Sequence, residues 1–108
     1  MSNSTKIPEI NFQNPQRKSF EFEINSSETL LDQSRRLNFN PFRAHRISFY
    51  AIVFVVKGEG QHFIDFKQYP FQKGSVIFIS KEQVQAFQEV EGFEAYILLF
   101  TEAFLERS

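Results

Sequence analysis

The sequence contains no cysteine. Disulfide bridges and thiolate chemistry are therefore excluded, and the composition fits a reducing compartment such as the cytoplasm. Tryptophan is also missing, and glycine is scarce at four residues. Each glycine falls at a turn, so no glycine-rich loop is available to cradle a phosphate. No serine sits in a nucleophile motif, and the carboxylates Asp65, Glu89, Glu91 and Glu94 do not pair by spacing, so no catalytic constellation emerges. No apolar run reaches the roughly 20 residues of a membrane-spanning helix. The opening MSNSTKIPEI lacks the apolar core of a secretory leader. A basic excess is absent too: 12 Lys and Arg face 13 Asp and Glu, for a net charge of −1. Duplex-binding domains carry a basic surplus, and the basic–aromatic interleaving of a single-strand binder is likewise missing.

What the chain does have is phenylalanine, 15 in 108 residues, within an apolar fraction of 42%. That suffices for one globular domain with an aromatic-rich core. Its organising stretch is His45 to Gly60, HRISFYAIVFVVKGEG. β-Branched and aromatic residues dominate, which predicts a strand. One parity carries His45, Ile47, Phe49, Ala51, Val53 and Val55; the other carries Tyr50, Ile52, Phe54 and Val56. Both faces are apolar, which predicts cover on both sides, as in a sandwich or barrel. Lys57-Gly58-Glu59-Gly60 then reverses the chain. With Gly58 and Glu59 central, a tight hairpin onto Gln61–Phe66 is predicted, with Val55 facing His62, Val53 facing Ile64 and Ala51 facing Phe66.

The remaining elements follow in order. Residues 1–19 form a polar arm interrupted by Pro8 and Pro15, in which Ile7, Ile10 and Phe12 either pack on the domain or fray. Phe20 to Ile24 alternates as a strand. Ser26 or Ser27 caps a short helix ending near Arg36, with Leu30, Leu31 and Leu37 on its buried side. A loop containing Pro41 leads into the central strand. Lys67-Gln68 is predicted as a turn, and Tyr69 to Gln72 as an edge segment around Pro70. Further strands are expected at Ser75–Ser80, Val84–Glu89 and Phe93–Phe100, separated by polar or glycine turns. Thr101 caps a second helix that stops within its first turns, which reads as a segment of a longer chain. Many short strands at close spacing predict a mainly β antiparallel sandwich or barrel with one or two short helices.

The order H-x-x-x-F-Y-x-I-x-x-V-x-K-G-x-G, then I-D-F, Y-P, G-S-x-x-F-I and the closing L-F-T-E-A-F-L resembles the cupin-like sensor domain of AraC-type transcription regulators, over residues 20 to 106. The resemblance implies a double-stranded antiparallel β-helix, or jelly-roll barrel, over residues 20–108. It implies a small-molecule effector, a homodimer, no membrane and no catalytic role. DNA would be reached only through a separate C-terminal helix-turn-helix domain. An effector in the barrel would shift the arm and the C-terminal helix between two arrangements.

Metal-binding cupins place a His-x-His pair and a following Glu on the first core strand and one more His on a later strand. Those positions correspond to His45, Ile47, Ala51 and Gln85, while the family glycines fall on Gly58 and Gly74. One ligand of four remains, and Ile and Ala cannot hold a divalent ion. No metal or other cofactor is expected. The barrel interior, lined by Ile47, Phe49, Ala51, Val53 and Ile64, is then either a filled core or an apolar pocket. Its candidate polar groups are His45, Gln83, Gln85 and Arg43, with His62 nearby. Arg43 and Arg46 flank His45, either as ordinary solvated charges or as attractors of an anionic effector. A free-standing cupin enzyme and a purely structural dimerisation module are the competing classes.

Overall fold

The computed structural model describes residues 9–10, 22–38 and 40–107. Most of the arm, including Ile7 and Phe12, lies outside the described residues. Two antiparallel sheets carry the fold. The larger has the order β2 (Phe22–Ser26), β9 (Glu94–Phe100), β4 (Tyr50–Lys57), β7 (Val76–Ile79). The smaller has the order β6 (Lys67–Phe71), β5 (Gly60–Ile64), β8 (Gln85–Phe87). A short parallel pair joins β1 (Glu9–Ile10) to β3 (Arg46–Ile47), with Ile10 opposite Ile47.

Period-2 alternation explains the larger sheet. Ala51, Val53 and Val55 of β4 and Ala95, Ile97 and Leu99 of β9 are buried on the inner face. They meet directly, Ala51 opposite Leu99 and Val53 opposite Ile97. The mainly β architecture and the family of antiparallel sheets predicted from the sequence are what the structure has.

Three expectations need correction. The run from His45 to Val56 is not one strand, because Ser48 and Phe49 bend between β3 and β4. More importantly, β4 and β5 do not form a hairpin. β4 pairs with β7 and β9, whereas β5 pairs with β6 and β8. The turn at Gly58 is a corner that carries the chain from one sheet to the other. Gly58 adopts φ +102°, and a Cβ there would also sit 3.3 Å from the backbone of Phe93. Only glycine meets both conditions without strain. Val55 therefore faces Ala95, and His62 faces Tyr69 and Phe87.

The third correction concerns the next turn, which is Asp65-Phe66 rather than Lys67-Gln68; the latter two residues belong to β6. Both turn residues adopt positive φ, 50° and 71°. Asp65 is pinned there: its amide donates to the Val84 carbonyl at 2.7 Å, and its carboxylate accepts from the Val84 amide at 3.2 Å. These contacts override the usual glycine preference of such a turn. Pro70 lies in β6, an edge strand, where its missing N–H costs no ladder bond.

The outer face of the larger sheet is less covered than the sequence suggested. Ile24, Phe54, Val76, Phe78 and Tyr96 are exposed there. Among the described residues, cover comes at one end, from α2 (Glu102–Arg107), whose Phe104 ring packs 5.1 Å from Phe22 and 6.0 Å from Phe100.

Candidate functional site

The helix α1 (Ser27–Arg36) starts as its sequence dictates. Ser26 is extended, and its hydroxyl accepts from the Thr29 amide at 3.2 Å. A second serine fixes where the helix lies: the buried Ser27 hydroxyl accepts from the Ala95 amide of β9 at 3.1 Å. That tether lays α1 along the open side of the barrel. Between helix and sheets lies a cavity of ~190 Å³. Leu30, Leu31 and Leu37 border it from α1; Ile47, Phe49, Ala51 and Val53 from the central strands; Ile79, Ile97 and Leu99 from the far wall. Pro41, Phe42, Phe87 and Phe93 complete its apolar lining. The polar groups on its wall are Ser27, Gln33, Ser34, His45, Gln85 and Gln88, and no Lys, Arg, Asp or Glu among the described residues lines it.

The polar side of the wall is built by strand register. His45 and Gln85 exchange both backbone hydrogen bonds at 2.9 Å, the single bridge between the start of the central segment and β8. β8 in turn pairs with β5, Ile64 opposite Gln85 and His62 opposite Phe87. Gln85 thus sits between the two histidine-bearing strands. His62 Nε2 lies 2.8 Å from Gln85 Oε1, and the His62 ring stacks on Phe87 with centroids 4.1 Å apart. His45 Nδ1 donates to the Arg43 carbonyl at 2.8 Å. A neutral His45 with its proton on Nδ1 is the tautomer this bond selects.

Both imidazoles are buried. Burial pushes the His45 pKa below its ordinary value of 6.5, and the bond to Arg43 only partly opposes this. His62 is lowered for the same reason, opposed by its Gln85 bond and reinforced by the proximity of His45. A low-dielectric site disfavours the charged form of a base. His62 Nδ1 is buried with no hydrogen-bond partner among the described residues.

Of the residues singled out from sequence, His45, Phe49 and Gln85 line the cavity. His62 does not line it; it is fully buried and supports Gln85 from behind. Gln83 lies outside, donating to Asp65 at 3.3 Å and accepting from the Ser80 amide at 3.0 Å. Arg43 is exposed and contributes its carbonyl, not its guanidinium. Ile64 is half-buried and not part of the wall, and Arg46 is not part of it either. The contribution of α1 was missed, because an apolar helical stripe looks the same whether it covers a solid core or a void.

The four positions that hold metal in cupins, His45, Ile47, Ala51 and Gln85, do share this cavity. Ile47 and Ala51 have no donor atoms, and no group of three or more His, Asp or Glu side chains that could hold a metal ion is brought together among the described residues. The residues present do not fit the cupin metal.

Comparison with known proteins agrees with this geometry. Among solved structures, the chain is similar to a conserved Streptococcus pyogenes protein of unknown function, with TM-score 0.54 and 16% identity over 86% of this chain and 80% of that one. It is also similar to a cupin 2 conserved barrel domain protein from Salinispora arenicola, with TM-score 0.53 and 16% identity over 88% of this chain and 75% of that one. These likenesses establish the cupin barrel fold. The plu4264 protein of Photorhabdus luminescens aligns at 22% identity and TM-score 0.47, over 64% of this chain. The chain spans 65% of that protein's length. No curated protein matches by sequence. A profile described as an AraC-like ligand binding domain matches residues 32–108. The chain therefore belongs to the AraC-like ligand-binding domain family.

Proposed function

We propose that this domain is the effector-sensing half of an AraC-type transcription regulator, non-enzymatic, cytoplasmic and homodimeric, and that it reaches DNA only through a separate C-terminal domain. The observation that carries the reading is the cavity itself. Its walls combine a rigid barrel with a tethered helix, and Ile47 of the wall is paired with Ile10 of the arm. An effector occupying it touches the barrel strands, α1 and a strand paired with the arm. Such a ligand shifts an equilibrium only by its difference in affinity for two arrangements. Contacts to Leu30, Leu31 and Leu37 supply that difference if α1 closes on the occupied cavity. His45 and Gln85 set orientation, Phe49 supplies apolar contact, and His62 holds Gln85 in place. Gln83 and Arg43 act, if at all, from outside the wall. The exposed apolar outer face of the larger sheet favours a second copy as partner.

The test is the coding frame beyond the codon for Ser108. A basic helix-turn-helix region in frame, giving a protein whose DNA binding responds to a ligand of this domain, is the expected result. A stop codon directly after Ser108 overturns the regulator reading and leaves a free-standing binding module. Sedimentation that stays monomeric at high concentration overturns the homodimer.

A further inference from the structure

The size and lining of the cavity constrain what it takes. We infer that its ligand is an uncharged, largely apolar molecule of about one six-membered ring, carrying one polar group that accepts a hydrogen bond from the Gln85 carboxamide. The inference rests on the ligand-binding reading of the barrel and deepens it.

Size comes first. A dry apolar protein cavity of about 150 Å³ accommodates benzene. The ~190 Å³ here matches a ring with a small substituent. Charge is the second argument. A buried ion needs a counter-charge or several strong hydrogen bonds, and without them it stays in water. No Lys, Arg, Asp or Glu among the described residues lines this cavity. Arg43 points its carbonyl inward to His45 and is itself exposed, so no guanidinium waits for a carboxylate. Burial keeps both imidazoles uncharged at neutral pH, so they offer no cation either.

Polarity is the third argument. The lining is overwhelmingly aliphatic and aromatic, with Ser27, Gln33 and Ser34 on the helix side and His45, Gln85 and Gln88 on the strand side. On the strand side, Gln85 Oε1 is committed to His62 Nε2. The carboxamide has one further function, its NH₂, which remains the donor available to a ligand. A carbonyl or hydroxyl oxygen accepts from it. A plain hydrocarbon leaves it unsatisfied, which costs affinity. The site therefore selects an amide, ketone, alcohol or phenol over the hydrocarbon, and rejects the acid and the amine.

The experiment compares probes of one size on the intact domain at pH 7.5: benzamide and benzyl alcohol, toluene, benzoate and benzylamine. Thermal shift and calorimetric titration read binding. The expected result is saturable binding of benzamide and benzyl alcohol at least tenfold tighter than benzoate or benzylamine, with toluene between. Ala51→Phe fills the cavity and is expected to abolish all of it, while circular dichroism confirms the fold. Benzoate or benzylamine binding tighter than the neutral probes, and lost in Ala51→Phe, overturns the ligand class and leaves the cavity as a binding site. No saturable binding by any probe up to its solubility limit overturns both. Gln85→Met separates the polar term: the benzamide advantage over toluene should fall at least fivefold. An unchanged advantage in a folded Gln85→Met protein overturns the role given to Gln85.

Discussion

Ala51→Leu decides whether the barrel holds space, because the two possibilities give opposite signs. Ala51 is buried on β4, between Leu99 and Ile79 of the flanking strands, and its methyl borders the cavity. Leucine adds three carbons. At roughly 30 Å³ for each small group they take on the order of 90 Å³, well within the ~190 Å³ available. Burying three carbons is worth about 0.8 kcal/mol each. Fixing the leucine rotamer takes back about 0.5–1 kcal/mol. The expected net is a stabilisation of about 1.5–2 kcal/mol, with the melting temperature rising on the order of 5–10 °C for a domain this size. A barrel already packed to native density would instead be strained by about 1–3 kcal/mol. Urea unfolding followed by far-ultraviolet circular dichroism measures the difference, provided the slope is unchanged. A lower midpoint, equivalent to a loss of 1 kcal/mol or more, would refute the existence of usable space beside Ala51.

Three further outcomes are expected. His45 and His62 both have folded-state pKa values below the unfolded value of 6.5, chiefly through burial. The unfolded chain then binds more protons in that window, so stability is fully present above pH 6.5 and lost as the pH falls through the lowered folded values. Each histidine contributes a slope of up to about 1.4 kcal/mol per pH unit; denaturation midpoints from pH 8 to 5 measure it, and a His62→Phe variant whose profile keeps the full slope would contradict it. Ser27→Ala removes the acceptor of the Ala95 amide and should cost about 1–3 kcal/mol, read by chemical denaturation together with faster hydrogen exchange across α1. Installing Ile47→His, Ala51→Glu and Gln85→His beside His45 should create a zinc site, since all four positions border one cavity; a folded triple variant without zinc uptake in dialysis would show that the four side chains do not converge.

Local signals in the sequence were good guides to local structure. The apolar segments Ser75–Ser80 and Phe93–Phe100 became β7 and β9, and of the two candidate caps, Ser26 and Ser27, it is Ser26 that caps α1. Partner choice was not legible in the same way. Gly58 encodes a change of direction, but the same residue serves a hairpin within one sheet and a corner between two. What decides is β9, some 40 residues later, which competes for β4 and wins by burying Ala95, Ile97 and Leu99 against it. Asp65-Phe66 has no turn signature in the sequence because Phe at positive φ is intrinsically unfavourable; the turn is held through Asp65, which the distant Val84 pins. For the site, His45, Phe49 and Gln85 were accessible through strand parity and motif spacing. The supporting place of His62 required the β5–β8 register, and the lid formed by α1 required the Ser27 tether, neither of which has a local signature.

The strand order of the larger sheet also bears on how the chain acquires its fold. β9 lies between β2 and β4, so residues near the two ends of the domain are neighbours, Phe22 opposite Phe100. Contacts so distant in sequence carry a high loop-closure cost and slow the folding of such proteins. During synthesis, β2 and β4 leave the ribosome long before their common partner does. Until residues 94–100 emerge, each presents an unpaired edge lined by apolar side chains, a state prone to pairing with another chain. The sheet is complete only when β9 is available to pair with both β2 and β4.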